Sequence, residues 1–268
     1  MPARWARRRC FWNNESRIMN SGNHKNHNHA KTEHANPILD VRDLSVSFGK
    51  DEVLKGISFQ VKEGDFLAII GPNGAGKTVL FRALMNLIPY DGEVKWRANV
   101  KIGYVPQKLM EKAELPLTVR EFFVLKSKNL FFKDKQIVNS IFHELKSVDI
   151  GADILDRQLI NLSKGQLQRV LISWAILGHP EVLLFDEPTA GIDIAGEESV
   201  YNMLHKLQDE RGMTVIMISH DLNVVYRYAN NVLCLNKERL CYGEPSQALT
   251  NEQIKRLYGE SAFYHHLH

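Results

Sequence analysis

The chain has 268 residues, 44% of them hydrophobic and 24% charged, which is the composition of a soluble globular protein with one large domain or two small ones. The net charge is +3, but residues 1–36 hold seven Lys or Arg against two acidic residues, so the rest of the chain carries −2. This acidic body gives no reason to expect DNA or RNA as a partner.

The cysteines and the apolar runs limit the cellular setting. There are three cysteines, Cys10, Cys234 and Cys241, with no CxxC pair. Their odd number and spacing argue against a disulfide framework or a structural zinc site and favour a reducing compartment. No apolar run approaches the ~20 residues that span a bilayer, and the basic N-terminus lacks the apolar segment of a secretory signal.

The two ends of the chain differ from the body, which we expect at residues 37–260. Residues 1–36 are rich in Asn, His and Arg without apolar periodicity, so we predict a disordered basic extension. Translation from Met19 would remove its Arg- and Trp-containing part, and we hold that start as a hypothesis. Residues 261–268 form a His-rich tail. The terminal histidines could chelate a transition metal, although such ends are often exposed spacers or cloning remnants: His24, His27, His29, His34, His265, His266 and His268.

The first part of the body predicts strands followed by a helix. ILDVRDLSVSF, which begins at Ile38, alternates apolar and polar residues as a half-buried strand does, and VLKGISFQV follows at strand spacing. FLAII is wholly apolar, as buried parallel strands are, and the helical pattern VLFRALMNLI comes after it. GEVKW and KIGYVP predict short strands.

The second part predicts a helical insertion and then more strand–helix units. Residues of about 108–165 contain amphipathic helical patterns, TVREFFVLKSKNL and KQIVNSIFHELKSV. EVLLFDEP and MTVIMISH predict buried strands, each with a helix after it, NVLCLNKERLCYGEP predicts a hairpin, and EQIKRLYG predicts a last short helix. Three buried strands that are each followed by a helix predict an α/β fold with a parallel-sheet core.

Residues 71–78, GPNGAGKT, match GxxxxGK[ST] between a predicted buried strand and a predicted helix. The glycines allow tight turns that direct backbone N–H groups at phosphate oxygens. Lys77 is placed to reach the β- and γ-phosphates, and the Thr78 hydroxyl is placed to bind Mg²⁺. The alternative is a Gly-rich turn with a chance lysine. The predicted nucleotide contacts here are Gly71, Pro72, Asn73, Gly74, Ala75, Gly76, Lys77, Thr78 and Val79.

Two acidic residues end the predicted strand EVLLFDEP. Asp186 emerges at the edge where open parallel sheets bind ligands, and it could hold Mg²⁺. Glu187 could orient and polarise the attacking water. Alone, two acids at a strand end would equally often be solvated surface groups. Beside a complete phosphate loop, they predict a nucleoside-triphosphate-binding protein that hydrolyses its ligand.

Residues 162–169, LSKGQLQR, precede LLFDEP by about twenty residues, and this arrangement resembles the ATP-binding cassette (ABC) family over residues 38–260. Further matches follow the family's order: SVSFG with Phe48, YVPQ with Gln107, AGID with Asp193 and MISHD with His220. The resemblance implies a P-loop NTPase (RecA-like) parallel-sheet core, an antiparallel β subdomain and a helical subdomain at about residues 108–165. It also implies ATP and Mg²⁺ as ligands.

The resemblance assigns roles to these residues. Glu187, His220 and Gln107 would be catalytic, with Gln107 also near the Mg²⁺ held by Thr78 and Asp186. Two copies would pair head to tail, so that ATP on Lys77 of one copy faces the LSKGQ segment of the other. The remaining residues assigned to the nucleotide are Phe48 and Val53 beside adenine, then Ser163, Gly165, Gln166 and Asp193.

Two positions depart from the family's pattern. Lys164 stands where most members have glycine, and it either adds a cation near the partner's phosphate or points outward. Val79 replaces a second hydroxyl residue, at a cost of about 1.5–3 kcal/mol if the lost hydrogen bond is charged and well formed. Neither change removes a group that hydrolysis requires, so we predict a working ATPase with weaker nucleotide affinity.

One cassette without a predicted span suits the separate ATPase subunit of an importer, on the cytoplasmic face of the membrane. Its partners would be transmembrane permease subunits, docked near Gln107 and PLTVREFF, and an extracytoplasmic substrate-binding protein. The stretch from VLCLN to LYGESAFYHHLH resembles the ATPases of zinc and manganese importers. The alternatives are importers of iron–siderophores or cobalamin, a soluble ABC protein acting on DNA or ribosomes, and a P-loop kinase.

Overall fold

The computed structural model describes residues 37–107, 116–126, 135–187 and 194–259. The predicted N-terminal extension and the His-rich C-terminal tail lie outside these ranges, as do Cys10 and Asp193. None of the described helices is both long enough and apolar enough to cross a membrane.

Strands and helices alternate along the described residues much as the apolar patterns predict. The strands are β1 (Leu39–Phe48), β2 (Asp51–Val61), β3 (Phe66–Ile70), β4 (Asp91–Trp96), β5 (Ile102–Val105), β6 (Val182–Asp186), β7 (Thr214–Ile218), β8 (Asn231–Asn236) and β9 (Glu238–Gly243). The helices are α1 (Lys77–Leu84), α2 (Val119–Val124), α3 (Lys135–Ser147), α4 (Lys164–Ile176), α5 (Ile194–Arg211), α6 (Leu222–Tyr228), α7 (Pro245–Ala248) and α8 (Asn251–Tyr258). Short 3₁₀ turns at Ala152–Asp156 and Leu159–Asn161 connect α3 to α4.

The strands form two sheets. The larger has the order β5-β6-β7-β3-β8-β9, in which all neighbours are parallel except the β8–β9 hairpin. The smaller is antiparallel with the order β2-β1-β4. Strands β3, β6 and β7 are buried along their whole length, because helices cover one face of the parallel sheet, and α1 with the antiparallel sheet covers the other. The predicted α/β fold, with its parallel core, antiparallel sheet and additional helices, is confirmed.

Alternate residues of the central strands face two different cores. Leu183 and Phe185 of β6 pack with residues of α2, α3, α4 and α5. Leu184, between them, packs with α1 and the antiparallel sheet. This alternation follows from the two-residue repeat of a strand. The central sheet thus lies between two apolar layers. Polar residues such as Asp186 lie at the carboxyl ends of its parallel strands.

The predicted hairpin differs from expectation in two respects. Its first strand, β8, also pairs in parallel with β3, so that the hairpin extends the central sheet. The cysteine pattern argued against a disulfide framework, but one disulfide is present, between Cys234 of β8 and Cys241 of β9. The two residues are seven apart in sequence but stand directly opposite in the ladder, with Cα atoms 4.8 Å apart, which is within disulfide range. Cysteine counting did not reveal this cross-strand register.

Candidate active site

The phosphate loop, residues 71–78, connects β3 to α1 and packs against two neighbouring segments. A Cβ atom on Gly71 would lie 2.0 Å from the carbonyl oxygen of Leu235, so no side chain fits there. Gly76, the N-cap residue of α1, has a φ of 94° and lies against Leu54 of β2. A side chain at Gly76 would have to displace the Leu54 side chain, and it is disfavoured by the positive φ. The glycine spacing therefore reflects close backbone approach as well as turning.

Lys77 is buried and folds back across the loop. Its Nζ atom donates hydrogen bonds to the carbonyl oxygens of Gly71, at 2.8 Å, and Pro72, at 3.0 Å. Burial lowers the pKa of this ammonium group, and the negative charges of Glu187 and Asp186 act in the opposite direction. An ammonium group held inside a loop whose N–H groups can face a ligand is suited to a polyphosphate.

Asp186 occupies the end of β6 and is 1% exposed. Burial raises the pKa of its carboxyl group, and a hydrogen bond with Thr78 opposes that shift. Among the described residues, no hydrogen-bond partner reaches its buried Oδ1 atom. A buried carboxylate oxygen without a partner, beside a threonine hydroxyl, is the kind of donor set that Mg²⁺ prefers. The residues present therefore fit the predicted cation.

Tyr104 of β5 was not among the predicted site residues. Its ring packs edge-on against Phe81 of α1, with centroids 6.4 Å apart. It lies beside Leu184 in the sheet register, so its side chain shares a face of the sheet with Asp186 two residues further on. Burial, then the negative charge of Asp186, raise the pKa of the Tyr104 phenol to about 12, and its hydroxyl lies within hydrogen-bonding reach of that carboxylate.

Glu187 brings the three predicted catalytic residues together. His220 Nε2 lies 2.5 Å from Glu187 Oε1, and Gln107 Nε2 donates a hydrogen bond to Glu187 Oε2. The hydrogen bond with His220 is the main cause that lowers the pKa of Glu187, which favours the ionised carboxylate. Glu187 has a positive φ of 46°, a conformation that costs energy in a residue with a side chain. The strained backbone directs an ionised carboxylate between an imidazole and an amide.

Ser163 begins α4 as its N-cap residue. Its Oγ atom accepts a hydrogen bond from the Gln166 N–H, and Gln166 Oε1 accepts one from the Ser163 N–H, so the two form a capping box. Lys164 follows as an exposed residue in the first turn, which has no acidic side chain. A Cβ atom on Gly165 would meet nothing within 4 Å among the described residues. The helix start therefore presents a hydroxyl and free N–H groups to one open face.

The start of the signature segment, residues 162–169, lines a depression at the surface of the described residues. The depression of about 380 Å³ at its start contains none of the loop residues. Its lining consists of Asp149, Ile150, Gly151, Asp153, Ile154, Ser163, Gly165, Gln166 and Arg169. Within one chain, the signature segment thus opens onto a surface of its own.

Of the remaining predicted contacts, Val53 and Val79 lie beside the phosphate loop, Phe48 is exposed at the end of β1, and Asp193 is outside the described residues. Phe48, at the end of β1, is 50% exposed, and Val53 of β2 places its carbonyl oxygen 3.2 Å from the Cβ position of Gly76. Val79, in the first turn of α1, is partly buried and packs against the core between α1 and the antiparallel sheet. Asp193 belongs to residues 188–193, which lie outside the described ranges.

Comparisons with known proteins agree on one family. The model of that family, described as ABC transporter, matches residues 54–190. A zinc import ATP-binding protein, ZnuC, of Hydrogenovibrio crunogenus is 34% identical over 87% of this chain and 93% of its own length. ZnuC of Pseudomonas aeruginosa is 39% identical over 87% of this chain and 86% of its own length. A solved ABC transporter of metal-chelate type, in an inward-facing conformation, is 28% identical with a TM-score of 0.75, over 84% of this chain and 89% of that one.

Proposed function

The chain belongs to the ABC transporter family, and we propose that it is the ATP-hydrolysing subunit of a membrane importer for a transition metal ion, zinc or manganese. Like other ATP-binding proteins of the family, it is an ATPase whose hydrolysis is coupled to transport. One observation carries the proposal of ATP hydrolysis: Glu187 contacts both His220 and Gln107 beside the buried Asp186 and Lys77.

The site can activate water next to bound triphosphate. We propose that the phosphate loop holds ATP and that Lys77 Nζ leaves the Gly71 and Pro72 carbonyl oxygens to contact the β- and γ-phosphates. Glu187 then orients the attacking water, and His220 holds the carboxylate and contacts the γ-phosphate. Thr78 and Asp186, with Gln107 nearby, would hold Mg²⁺. That ion supplies charge neutralisation on the phosphates when it is bound.

A second copy of the chain would complete the site. The signature segment opens onto a cavity that contains no phosphate-loop residue, and Gly165 leaves its face uncovered. A serine hydroxyl and free N–H groups at the start of the 13-residue helix α4 are good donors to a γ-phosphate. We therefore propose a head-to-tail dimer in which Ser163, Gly165 and Gln166 face ATP held by the partner copy. Asp193 would lie near the same interface.

Transport requires further subunits. We propose that the chain binds transmembrane permease subunits at the cytoplasmic face of the membrane and works with an extracytoplasmic substrate-binding protein. The permease would contact the region of α2 and Gln107, where Leu125 is 65% exposed beside the end of α2. Gln107 itself contacts Glu187, so a permease contact at Gln107 would reach the hydrolysis site directly.

The proposed substrate is an ion rather than a chelate. Curated relatives named for zinc import are 34–39% identical over nearly their whole length. The metal-chelate type transporter is 28% identical. These identities favour a metal ion, with zinc the one that the relatives' names give, over an iron–siderophore or cobalamin. The His-rich ends lie outside the described residues.

Hydrolysis by the purified full chain with its permease tests the proposed function. We expect ATP hydrolysis that is lost on chelation of Mg²⁺. Glu187→Gln should lower the rate by at least about 100-fold, the usual contribution of a positioned base, while ATP binding persists. Lys77→Ala should remove ATP binding itself. Equal hydrolysis by wild-type protein and Glu187→Gln would contradict the proposal.

A further inference from the structure

The disulfide between Cys234 and Cys241 lies in the hairpin that supports the phosphate loop. Cys234 is fully buried in β8, and Cys241 is partly exposed in β9. The ladder is regular up to this pair and shifts register between Cys234 and Leu235. The disulfide therefore joins the two strands at the last regular step before the turn.

The hairpin turn, residues 235–238, comprises the last two residues of β8, Lys237 and the first residue of β9, and it contacts the phosphate loop at Gly71 and Ala75. Cys234 itself pairs with Ile70, the residue before the loop. The carbonyl oxygen of Leu235 lies against Gly71, as the 2.0 Å approach to a Cβ position there shows. At the other end of the turn, the Lys237 N–H donates to the Ala75 carbonyl oxygen at 3.1 Å.

The turn also connects the loop to the antiparallel sheet. The Lys55 N–H of β2 donates to the Lys237 carbonyl oxygen at 2.8 Å. Lys237 has a positive φ of 63°, so the turn adopts a conformation that neighbouring contacts must maintain. Movement of this turn would thus disturb the floor of the phosphate loop at both Gly71 and Ala75.

We propose that Cys234 and Cys241 form a reversible oxidation site that sets the affinity of the phosphate loop for ATP. In the oxidised form the covalent link holds the turn against the loop, and ATP binds more tightly. In the reduced form the ladder alone holds the turn, and its register shift leaves that end less constrained. A loop fixed in advance loses less conformational entropy when its ligand binds. The inference rests on the proposed function only as far as ATP binding at this loop.

The oxidation is a thiol–disulfide exchange with a low-molecular-weight disulfide such as oxidised glutathione. The Cys241 thiolate, which is the more exposed, attacks one sulfur of that disulfide, breaks its S–S bond and releases one thiol. The Cys234 thiolate then attacks Sγ of Cys241 and releases the second thiol. The two protein thiols lose two electrons and two protons overall, and one small disulfide becomes two thiols.

The experiment uses the full chain with Cys10→Ser, so that only this pair can react. The protein is equilibrated with oxidised or reduced glutathione, the bond is counted by intact mass, and the Kd of a fluorescent ATP analogue is measured. We expect the oxidised form to bind at least about five-fold more tightly, the lower end of ordinary coupling between sites. Cys241→Ser in the same background should bind like the reduced form under both conditions.

Three results would overturn the inference: no disulfide in oxidised glutathione, equal affinity in the two forms, or weaker binding by the oxidised form. Cys234→Ala, an apolar replacement at the buried position, provides a second variant that should also lose the redox response. A thermal melt of each variant identifies any loss of folding. If ATP binds equally in both forms, the proposed effect of oxidation on ATP affinity is wrong, and the proposed function is unaffected. If ATP binds in neither, the proposed function fails instead.

Discussion

Nε2 of His220 lies 2.5 Å from Oε1 of Glu187, and Gln107 contacts the other oxygen of the same carboxylate. The sheet order explains this meeting. Gln107 follows β5, Glu187 follows β6 and His220 follows β7, and these three strands are parallel neighbours. Gln107 is 80 positions and His220 is 33 positions from Glu187 in sequence, and the neighbouring strands bring them to either side of it. The arrangement makes Glu187 the centre of the proposed chemistry.

His220→Ala should slow hydrolysis while leaving ATP affinity nearly unchanged. The imidazole holds the Glu187 carboxylate and lowers its pKa, so its loss misplaces the base rather than the nucleotide. We expect the turnover rate to fall by about 100-fold in a steady-state ATPase assay. His205→Ala, on the surface of α5, is the matched control and should stay within about two-fold of wild type. Equal losses in the two variants would argue against a specific role for His220.

Tyr104→Phe should weaken the response to Mg²⁺ more than it lowers the maximal rate. The phenol reaches the Asp186 carboxylate from β5, and a hydrogen bond to a charged group is worth about 1.5–3 kcal/mol. Its loss should raise the half-saturating Mg²⁺ concentration by about ten-fold in a titration of ATPase activity. Tyr226→Phe, whose hydroxyl bonds the Leu249 carbonyl oxygen, is the control. An unchanged titration would show that Tyr104 serves packing alone.

Lys164→Gly should change hydrolysis by less than about three-fold, because the lysine is exposed in the first turn of α4 and takes no part in the capping box. Ser163→Ala should cost much more. It removes the N-cap, worth about 1 kcal/mol, together with the hydroxyl proposed to face the partner's ATP. ATPase rates of both variants, measured at several protein concentrations, check this order. A large loss in Lys164→Gly would place the lysine in the site.

Lys126 should make the stability of the fold rise with pH in the alkaline range. Its Nζ donates to the Trp174 and Ala175 carbonyl oxygens at the end of α4, and burial lowers its pKa to about 8. The unfolded chain, with an ordinary lysine pKa near 10.5, binds this proton more tightly than the folded chain does. Between pH 8 and 10.5 the unfolded state therefore carries more protons, and the free energy of unfolding increases with pH.

Urea unfolding of wild type and Lys126→Met across pH 7–11 checks this sign. The difference in unfolding free energy between the two should change in favour of wild type as pH rises above 8. Parallel curves for wild type and Lys126→Met would contradict the lowered pKa.

Local patterns were sufficient to predict most of the fold, including the loop between β3 and α1. Apolar runs such as FLAII predicted β3, and GPNGAGKT predicted the loop because its function depends on residues adjacent in sequence. The capped helix at Ser163 was likewise readable from its own residues. The roles of Gln107 and His220, by contrast, came from resemblance, since neither residue is distinctive alone.

Two contacts that the sequence did not predict, between Cys234 and Cys241 and between Tyr104 and Asp186, depend on how neighbouring strands are aligned. The opposition of Cys234 and Cys241 arises from the ladder between β8 and β9, and the approach of Tyr104 to Asp186 arises from the register of β5 on β6. Neither pair has a characteristic spacing. A tyrosine next to the last residue of a strand does not by itself indicate a contact with Asp186, and an odd number of cysteines does not indicate which two are paired.

Metal accumulation in cells tests the central claim most directly. Zinc and manganese contents are measured by mass spectrometry in metal-limited cells that lack this gene and that carry either the wild-type chain or Glu187→Gln. We predict that deletion lowers cellular zinc or manganese, that wild type restores it, and that Glu187→Gln does not, because import requires hydrolysis at this carboxylate. Unchanged zinc and manganese in the deletion strain would contradict the account.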